Sequence, residues 1–179
     1  QAEGNSGTTT FTFTVSLSPA SASVTGVTAT TADGSATTAD GDYVASTQVL
    51  TFPIGSTSQT FQVSVNGDTK YEPNEAFAVT LSGPTGGAAI GAGGTATGTI
   101  TNDDVTPSIS VGDFAALEGN AGTTPFTFTV SLSNASYQTV TVDWVTANGT
   151  ATTAGSDYAA GGGTLTFLPG GTTQSATVN

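Results

Sequence analysis

The feature that most constrains this chain is that it repeats itself. Displaced by 115 positions, residues 3–64 align without a gap on residues 118–179, and by count 34 of the 62 paired positions are identical. Glu3-Gly4-Asn5 matches Glu118-Gly119-Asn120, Phe11 through Ser18 matches Phe126 through Ser133, and Asp42-Tyr43 matches Asp157-Tyr158. A period of this length is too long for a helical solenoid unit and is the size of a whole domain. A tandem array of domains is expected, with a first domain over 1–104, a linker over 105–107 and a second domain over 108–179. Each copy reads as incomplete. The first starts without a counterpart of Ser108–Val111, and the second stops before any counterpart of residues 65–104. With Met absent altogether, the chain is expected to be a processed product or a window on something longer.

Within each copy the apolar residues fall at every second position. Phe11, Phe13, Val15 and Leu17 alternate with threonine and serine, and Phe126, Phe128, Val130 and Leu132 do the same. That period buries one face of a strand and wets the other. Val140-x-Val142-x-Trp144, Leu165-x-Phe167, Leu50-x-Phe52, Phe61-x-Val63-x-Val65, Phe77-x-Val79-x-Leu81 and Thr97-x-Thr99-x-Thr101 extend the series. Turn-forming residues separate the runs, among them Asp33-Gly34, Asp40-Gly41, Gly83-Pro84 and Asn102 to Asp104. No stretch carries apolar residues at helical spacing. Seven short strands per repeat predict an all-β fold of tandem antiparallel sandwiches of immunoglobulin-like size.

Charge is scarce, and its sign excludes whole classes of function. Thirteen acidic residues stand against a single base, Lys70, for a net charge of −12. A chain without arginine has no electrostatic hold on nucleic acid or anionic lipid, so neither nucleic acid nor membrane insertion is expected. No run approaches the ~18 apolar residues of a membrane span. Without His or Cys there is no imidazole base, thiolate nucleophile or disulfide. Asp103 and Asp104 are too close to serve as a glycosidase pair, whose carboxylates face each other ~5–10 Å apart across a cleft. The expectation is a protein that is not an enzyme.

The acids themselves are placed tellingly. Asp68, Glu72 and Glu75 crowd one inter-strand loop, Asp103 and Asp104 follow the last strand, Glu3 precedes the long Phe-Thr strand, and Asp42 sits in a glycine-rich loop. If these loops share one end of a sandwich, seven of the 13 acids converge with Lys70 as the nearest cation. Such a cluster must protonate or take up a cation, and flexible oxygen donors suit Ca²⁺ better than the stricter octahedron of Mg²⁺. The bland reading is that they are solvated loop acids that keep the chain soluble. The recurrence of Glu3 and Asp42 as Glu118 and Asp157 weighs against it.

Four of these elements, in order, resemble the Calx-beta domain: Glu-Gly-x-x-Gly at Glu3 and Glu118, Gly41-Asp42-Tyr43, Asp68-x3-Glu72-x2-Glu75-x-Phe77-x-Val79-x-Leu81, and Thr101-Asn102-Asp103-Asp104. The resemblance implies a seven-stranded immunoglobulin-like sandwich with Ca²⁺ bound at the distal end of the domain. Carried over by position, the implied ligands are Glu3, Asp42, Asp68, Glu72, Glu75, Asp103 and Asp104, with the Lys70 carbonyl as an extra and Glu118 and Asp157 as partners in the second copy. Gly67 departs from the pattern, standing where acid-rich members carry another carboxylate, which implies one or two ions rather than a larger cluster.

The expected function is an extracellular or cell-surface structural repeat protein, calcium-stiffened near Val105–Pro107 and assembling with copies of itself as an array or filament. Incomplete sandwiches expose sheet edges, which neighbours fill by strand donation or edge pairing if 1–179 is the whole subunit. Surface glycans or matrix are further expected partners of the array, and the rivals are a cytosolic-type calcium-sensing regulatory module and a polysaccharide-binding accessory domain of a larger secreted enzyme. Asn134-Ala-Ser136 and Asn148-Gly-Thr150 match glycosylation sequons, a weak signal in a chain rich in Thr and Ser. Trp144 and Tyr137 suit a sugar platform, though a lone strand Trp more often belongs to the core.

Overall fold

Alternation dictates the architecture. The computed structural model describes residues 1–179 and contains eleven strands and no helix. They are β1 (Thr8–Ser16), β2 (Thr25–Ala32), β3 (Thr47–Phe52), β4 (Ser58–Asn66), β5 (Glu75–Ser82), β6 (Thr95–Ile100), β7 (Ile109–Val111), β8 (Phe126–Leu132), β9 (Val140–Val145), β10 (Gly162–Phe167) and β11 (Thr173–Val178). The expected all-β class holds, and every paired strand runs antiparallel to its neighbour. The chain divides into two units, one built from Gln1–Thr69 and Pro73–Asp103, the other from Asp104–Asn179 together with Lys70–Glu72.

In the first unit β1 pairs with β4, and a second sheet takes the order β3-β2-β5-β6. Phe11 faces Val63 and Phe13 faces Phe61 across the first sheet. Val27 faces Leu50, and Phe77 faces Gly98, in the second. The inward residues of both sheets meet in one core that includes Phe11, Val15, Leu50, Phe52, Phe61, Val63, Val65, Phe77, Val79 and Ile100. Phe77 sits at its centre. Its ring lies so close to Gly98 that a Cβ there would run into it, and the Tyr43 ring stacks on it with centroids 4.6 Å apart.

Two strands of the first copy depart from the expected alternation: in β6 Gly98 and Ile100 turn inward instead of Thr97 and Thr99, and β2 carries no run of large apolar residues. β2 reads Thr-Gly-Val-Thr-Ala-Thr-Thr-Ala, with Thr25, Val27 and Ala29 turned inward. It is nonetheless the strand that joins β3 to β5, and the small Ala29, fully buried, is what the crowded centre of the sheet admits.

At the end of the first unit the chain closes on its own beginning. Ala2 bridges Thr101 in parallel fashion, the Gln1 carbonyl accepts from Thr101 N–H at 2.9 Å, and the Gln1 amino group donates to Thr99 O at 3.1 Å.

The second unit has a three-stranded sheet, β11-β8-β7, and a β9–β10 pair. Its core is smaller: Val130, Leu132 and Phe167 are buried, with Val140, Val142 and Leu165 packed around them. Between the sheets the interior opens as a cleft of about 1260 Å³ lined by Phe126, Phe128, Trp144 and Tyr158 among others. Trp144 occupies the inward register position that Ala29 holds in the first copy, but it is half-buried at the cleft wall rather than sealed in the core. Tyr137 packs elsewhere in the unit, 6.1 Å from Tyr71, whose N–H donates to Ala135 O at 2.9 Å.

Candidate metal centre

Two segments deliver the first group of acids, the stretch before β1 and the one after β6. The pairing of Gln1 and Ala2 with Thr99 and Thr101 carries Glu3 to the residues just beyond β6. Gly4, at φ +86°, then turns the chain and donates its N–H to Asp103 Oδ1 at 3.3 Å. The Thr9 hydroxyl fixes the Glu3 carbonyl at 2.5 Å. Glu3, Asp103 and Asp104 thereby each place a carboxylate oxygen within 4.8 Å of the others. Glu3 is buried, Asp104 half-buried and Asp103 exposed, and the Asp104 Oδ2 atom is sealed from solvent.

The second group is Asp42, Glu72 and Glu75, with the same mutual spacing. Asp42 is held by its own turn: its N–H donates to Thr37 O at 3.1 Å, and its Oδ2 accepts from Thr37 N–H at 2.6 Å. Its carbonyl accepts from Asn66 N–H at 2.9 Å, which ties the turn to the end of β4. Glu75 opens β5, and Glu72 is ion-paired with Lys70. Asn74 Oδ1 accepts from Asn102 N–H at 3.0 Å, so the loop before β5 is fastened to the segment that bears Asp103. Glu72 and Asp104 each lie one peptide bond from a residue of the first unit.

The donor set fits a hard divalent cation. Two oxygens that share one Ca²⁺ at 2.3–2.6 Å lie at most about 5 Å apart, and each trio falls within that span. All six donors are carboxylates, the chemistry that oxygen-seeking cations select.

The structure thus sorts six of the seven acids singled out in residues 1–104 into two trios, and it leaves Asp68 exposed outside both. Glu118 and Asp157 are exposed and belong to neither. Asp157 does reproduce the Asp42 turn, with Oδ2 accepting from Thr152 N–H at 2.8 Å and its own N–H donating to Thr152 O at 3.1 Å. Gly67 also gains a physical reason. A Cβ there would fall on the Gly4 carbonyl, while the Gly67 N–H donates to Gly7 O at 3.0 Å, so the turn that positions Glu3 leaves no room for a side chain.

Sequence reasoning missed one pair beside the second trio. The Tyr43 hydroxyl donates to Asp33 Oδ1 at 2.6 Å, and Thr38 N–H donates to the same oxygen at 3.1 Å. Burial first, and then the Asp33 carboxylate, push the Tyr43 phenol up to about 12. The bond from Tyr43 and those from Thr38 hold Asp33 below the usual carboxylate range. The signal was present in the repeat: Asn148 Oδ1 accepts from Tyr158 OH at 2.8 Å and Thr153 N–H at 3.1 Å in the second copy.

Paired antiparallel sheets around a shared core, with acidic loops gathered where the first unit's termini meet, define an immunoglobulin-like sandwich of the acid-bearing type. The chain belongs to the Calx-beta domain family, whose model matches residues 1–104 and 113–179. Among solved structures it is similar to calcium binding domain CBD12 of CALX1.1, at 24% identity and TM-score 0.52 over 94% of this chain and 67% of that one. CBD12 from CALX1.2 is similar at 25% identity and TM-score 0.52, over 94% of this chain and 69% of that one. The apo form of the Calx CBD1 domain aligns at 31% identity and TM-score 0.49, over 53% and 83%. No curated protein sequence matches the chain.

Proposed function

We propose that this chain is a calcium-binding structural module of an extracellular or cell-surface array. The observation that carries the reading is the pair of carboxylate trios, Glu3–Asp103–Asp104 and Asp42–Glu72–Glu75. In each, Ca²⁺ would offset repulsion among three carboxylates and tie together loops far apart in sequence. Extracellular modules bind Ca²⁺ with a Kd of ~10⁻⁴–10⁻³ M, a range in which millimolar calcium fills a site from about half upward. A chain with one basic residue and no Cys or Met offers few trypsin sites and few oxidisable groups, which suits persistence there. Nothing in the reading calls for catalysis.

Assembly with copies of itself is the second half of the proposal. The open cleft of the second unit and the free edge of β9 are suited to receive a strand from a neighbour. Head-to-tail contacts of that kind, repeated without closing, build a filament. A calcium-sensing regulatory module is the rival reading, favoured by the likeness to tandem CBD12 domains. A polysaccharide-binding accessory domain is a third, favoured by Trp144 at the cleft wall.

Thermal melts in EDTA and in a few millimolar Ca²⁺, with Mg²⁺ as control, test the metal. Sedimentation of the same samples across a concentration series tests assembly. A Ca²⁺-selective rise in midpoint together with concentration-dependent self-association is expected. No Ca²⁺-selective rise overturns the calcium reading, and a species that stays monomeric at every concentration overturns the array.

A further inference from the structure

The chain contains two Asn-Gly steps, Asn66-Gly67 and Asn148-Gly149, and the fold treats them oppositely. At Asn66, the last residue of β4, the main-chain N–H donates to Asp42 O at 2.9 Å, the side-chain amide donates to Gly41 O, and Gly67 N–H donates to Gly7 O at 3.0 Å. Both the amide and the following nitrogen are held by distant parts of the chain. Asn148 and Gly149 instead lie exposed in the loop after β9. Gly149 N–H makes one local bond, to Ala151 O at 3.1 Å, and a Cβ on Gly149 would meet nothing within 4 Å. The Asn148 carbonyl oxygen, Oδ1, receives two donors, Tyr158 OH and Thr153 N–H.

We propose that Asn148 is a site of spontaneous deamidation, activated by those two donors. The Gly149 main-chain nitrogen adds to Asn148 Cγ and gives its proton to water. Tyr158 OH and Thr153 N–H hold the negative charge that gathers on Oδ1, as donors in an oxyanion hole do. The Cγ–Nδ2 bond breaks as Nδ2 takes a proton back from water, ammonia leaves, and a succinimide ring remains. Water then opens the ring to aspartate or isoaspartate, without redox change. Glycine at position 149 permits the approach because it has no Cβ and ranges freely in backbone conformation.

The product has a counterpart in the same molecule. Position 148 corresponds to Asp33, which carries the same two donors, from Tyr43 and Thr38, on one carboxylate oxygen. Deamidation to aspartate therefore gives the second copy the carboxylate that the first copy encodes, on a scaffold already shaped to hold it.

The full chain, incubated in mildly alkaline buffer and followed by peptide mass mapping, tests the proposal. The peptide bearing Asn148 is expected to gain one mass unit with release of ammonia, while the peptide bearing Asn66 stays unchanged as long as the protein is folded. In denaturant both should gain it. Gly149→Ala, which the open space around the glycine tolerates, is expected to slow the gain at Asn148 by on the order of tenfold, and Tyr158→Phe to slow it less. No gain at Asn148 in the folded chain, a rate no faster than at Asn66, or acceleration in Tyr158→Phe each overturns the proposal.

Discussion

The Tyr43 hydroxyl donates a 2.6 Å hydrogen bond to Asp33 Oδ1, and in the second copy the Tyr158 hydroxyl makes the same bond to an amide, Asn148 Oδ1, at 2.8 Å. One scaffold thus holds a charged acceptor and a neutral one. Burial of the Tyr43 ring and the carboxylate beneath its hydroxyl both favour the protonated phenol, and this raises it to about 12.

This pair makes the stability of the first unit fall with rising alkaline pH. The folded Tyr43 keeps its proton above the point where an unfolded tyrosine, near pH 10, loses it. The unfolded state then binds fewer protons, so stability falls between pH 10 and about 12. A tyrosinate absorbance titration should show one of the four tyrosines ionising last, and Asp33→Asn should bring it down. Asp33 works in the opposite sense. Its folded value is lowered, so its contribution is present at neutral pH and is lost as pH falls through that depressed value. An Asp33→Asn variant that leaves the last tyrosine unchanged would count against the carboxylate as a cause.

Removing acids one at a time should separate the two trios. Asp103→Ala and Asp42→Ala each break one group of three, whereas Asp68 lies in neither. Calorimetric Ca²⁺ titration is expected to lose part of its heat in either of the first two variants and to keep it in Asp68→Ala. At a few millimolar Ca²⁺ a site with a Kd of ~10⁻⁴–10⁻³ M adds about 1–2 kcal/mol, so the calcium-dependent rise in melting midpoint should shrink in parallel. Equal loss in all three variants would show that the acids act as one diffuse field.

Lys70 competes for the second trio, because its ammonium pairs with Glu72. Lys70→Gln should tighten Ca²⁺ binding, since a cation beside the ligands no longer repels the ion, and should lower the midpoint in EDTA. Both changes are read from the same pair of melts, and weaker Ca²⁺ binding would assign Lys70 a supporting role instead.

Restoring an acid at position 67 should fail. Gly67→Asp places a Cβ against the Gly4 carbonyl, next to the bond that joins Gly4 to Asp103. Overpacking of this kind costs about 1–3 kcal/mol. A lower urea midpoint without tighter Ca²⁺ binding is expected, and a gain in affinity at unchanged stability would show that the turn yields.

Phe77 is the residue on which the first core depends. It contacts Phe11, Phe13 and Tyr43 and leaves no space beside Gly98. Phe77→Ala should cost about 3–5 kcal/mol in chemical denaturation. A loss below 1 kcal/mol would mean that the neighbouring rings close the gap.

Much of this was legible in residues. Phe11-x-Phe13-x-Val15 and the 115-residue repeat led to tandem sandwiches, and the ordered motifs from Glu3 to Asp104 led to the family. β2 was not legible in the first copy, because its inward positions are Thr25, Val27 and Ala29, too small and too polar to stand out as an alternating apolar run. Nor was the division of the acids into two trios. It rests on Ala2 meeting Thr101, a contact 99 residues apart with no local pattern to betray it, whereas the clasp of Thr37 on Asp42 recurs as Thr152 on Asp157. The Asp33–Tyr43 pair left a trace at ten-residue spacing in both copies, but the change to Asn148 conceals it from a search for acids.

The parallel bridge between Ala2 and Thr101 has a mechanical meaning. Residues 1–2 and 99–101 point the same way and are joined side by side, so tension applied across residues 1–104 drags the two segments in opposite directions along their length. The hydrogen bonds between them are then loaded together, in shear, instead of parting one after another like a zip. Glu3 and Asp103 stand at the end of that seam, so a cation shared between them would act as a rivet where the load enters.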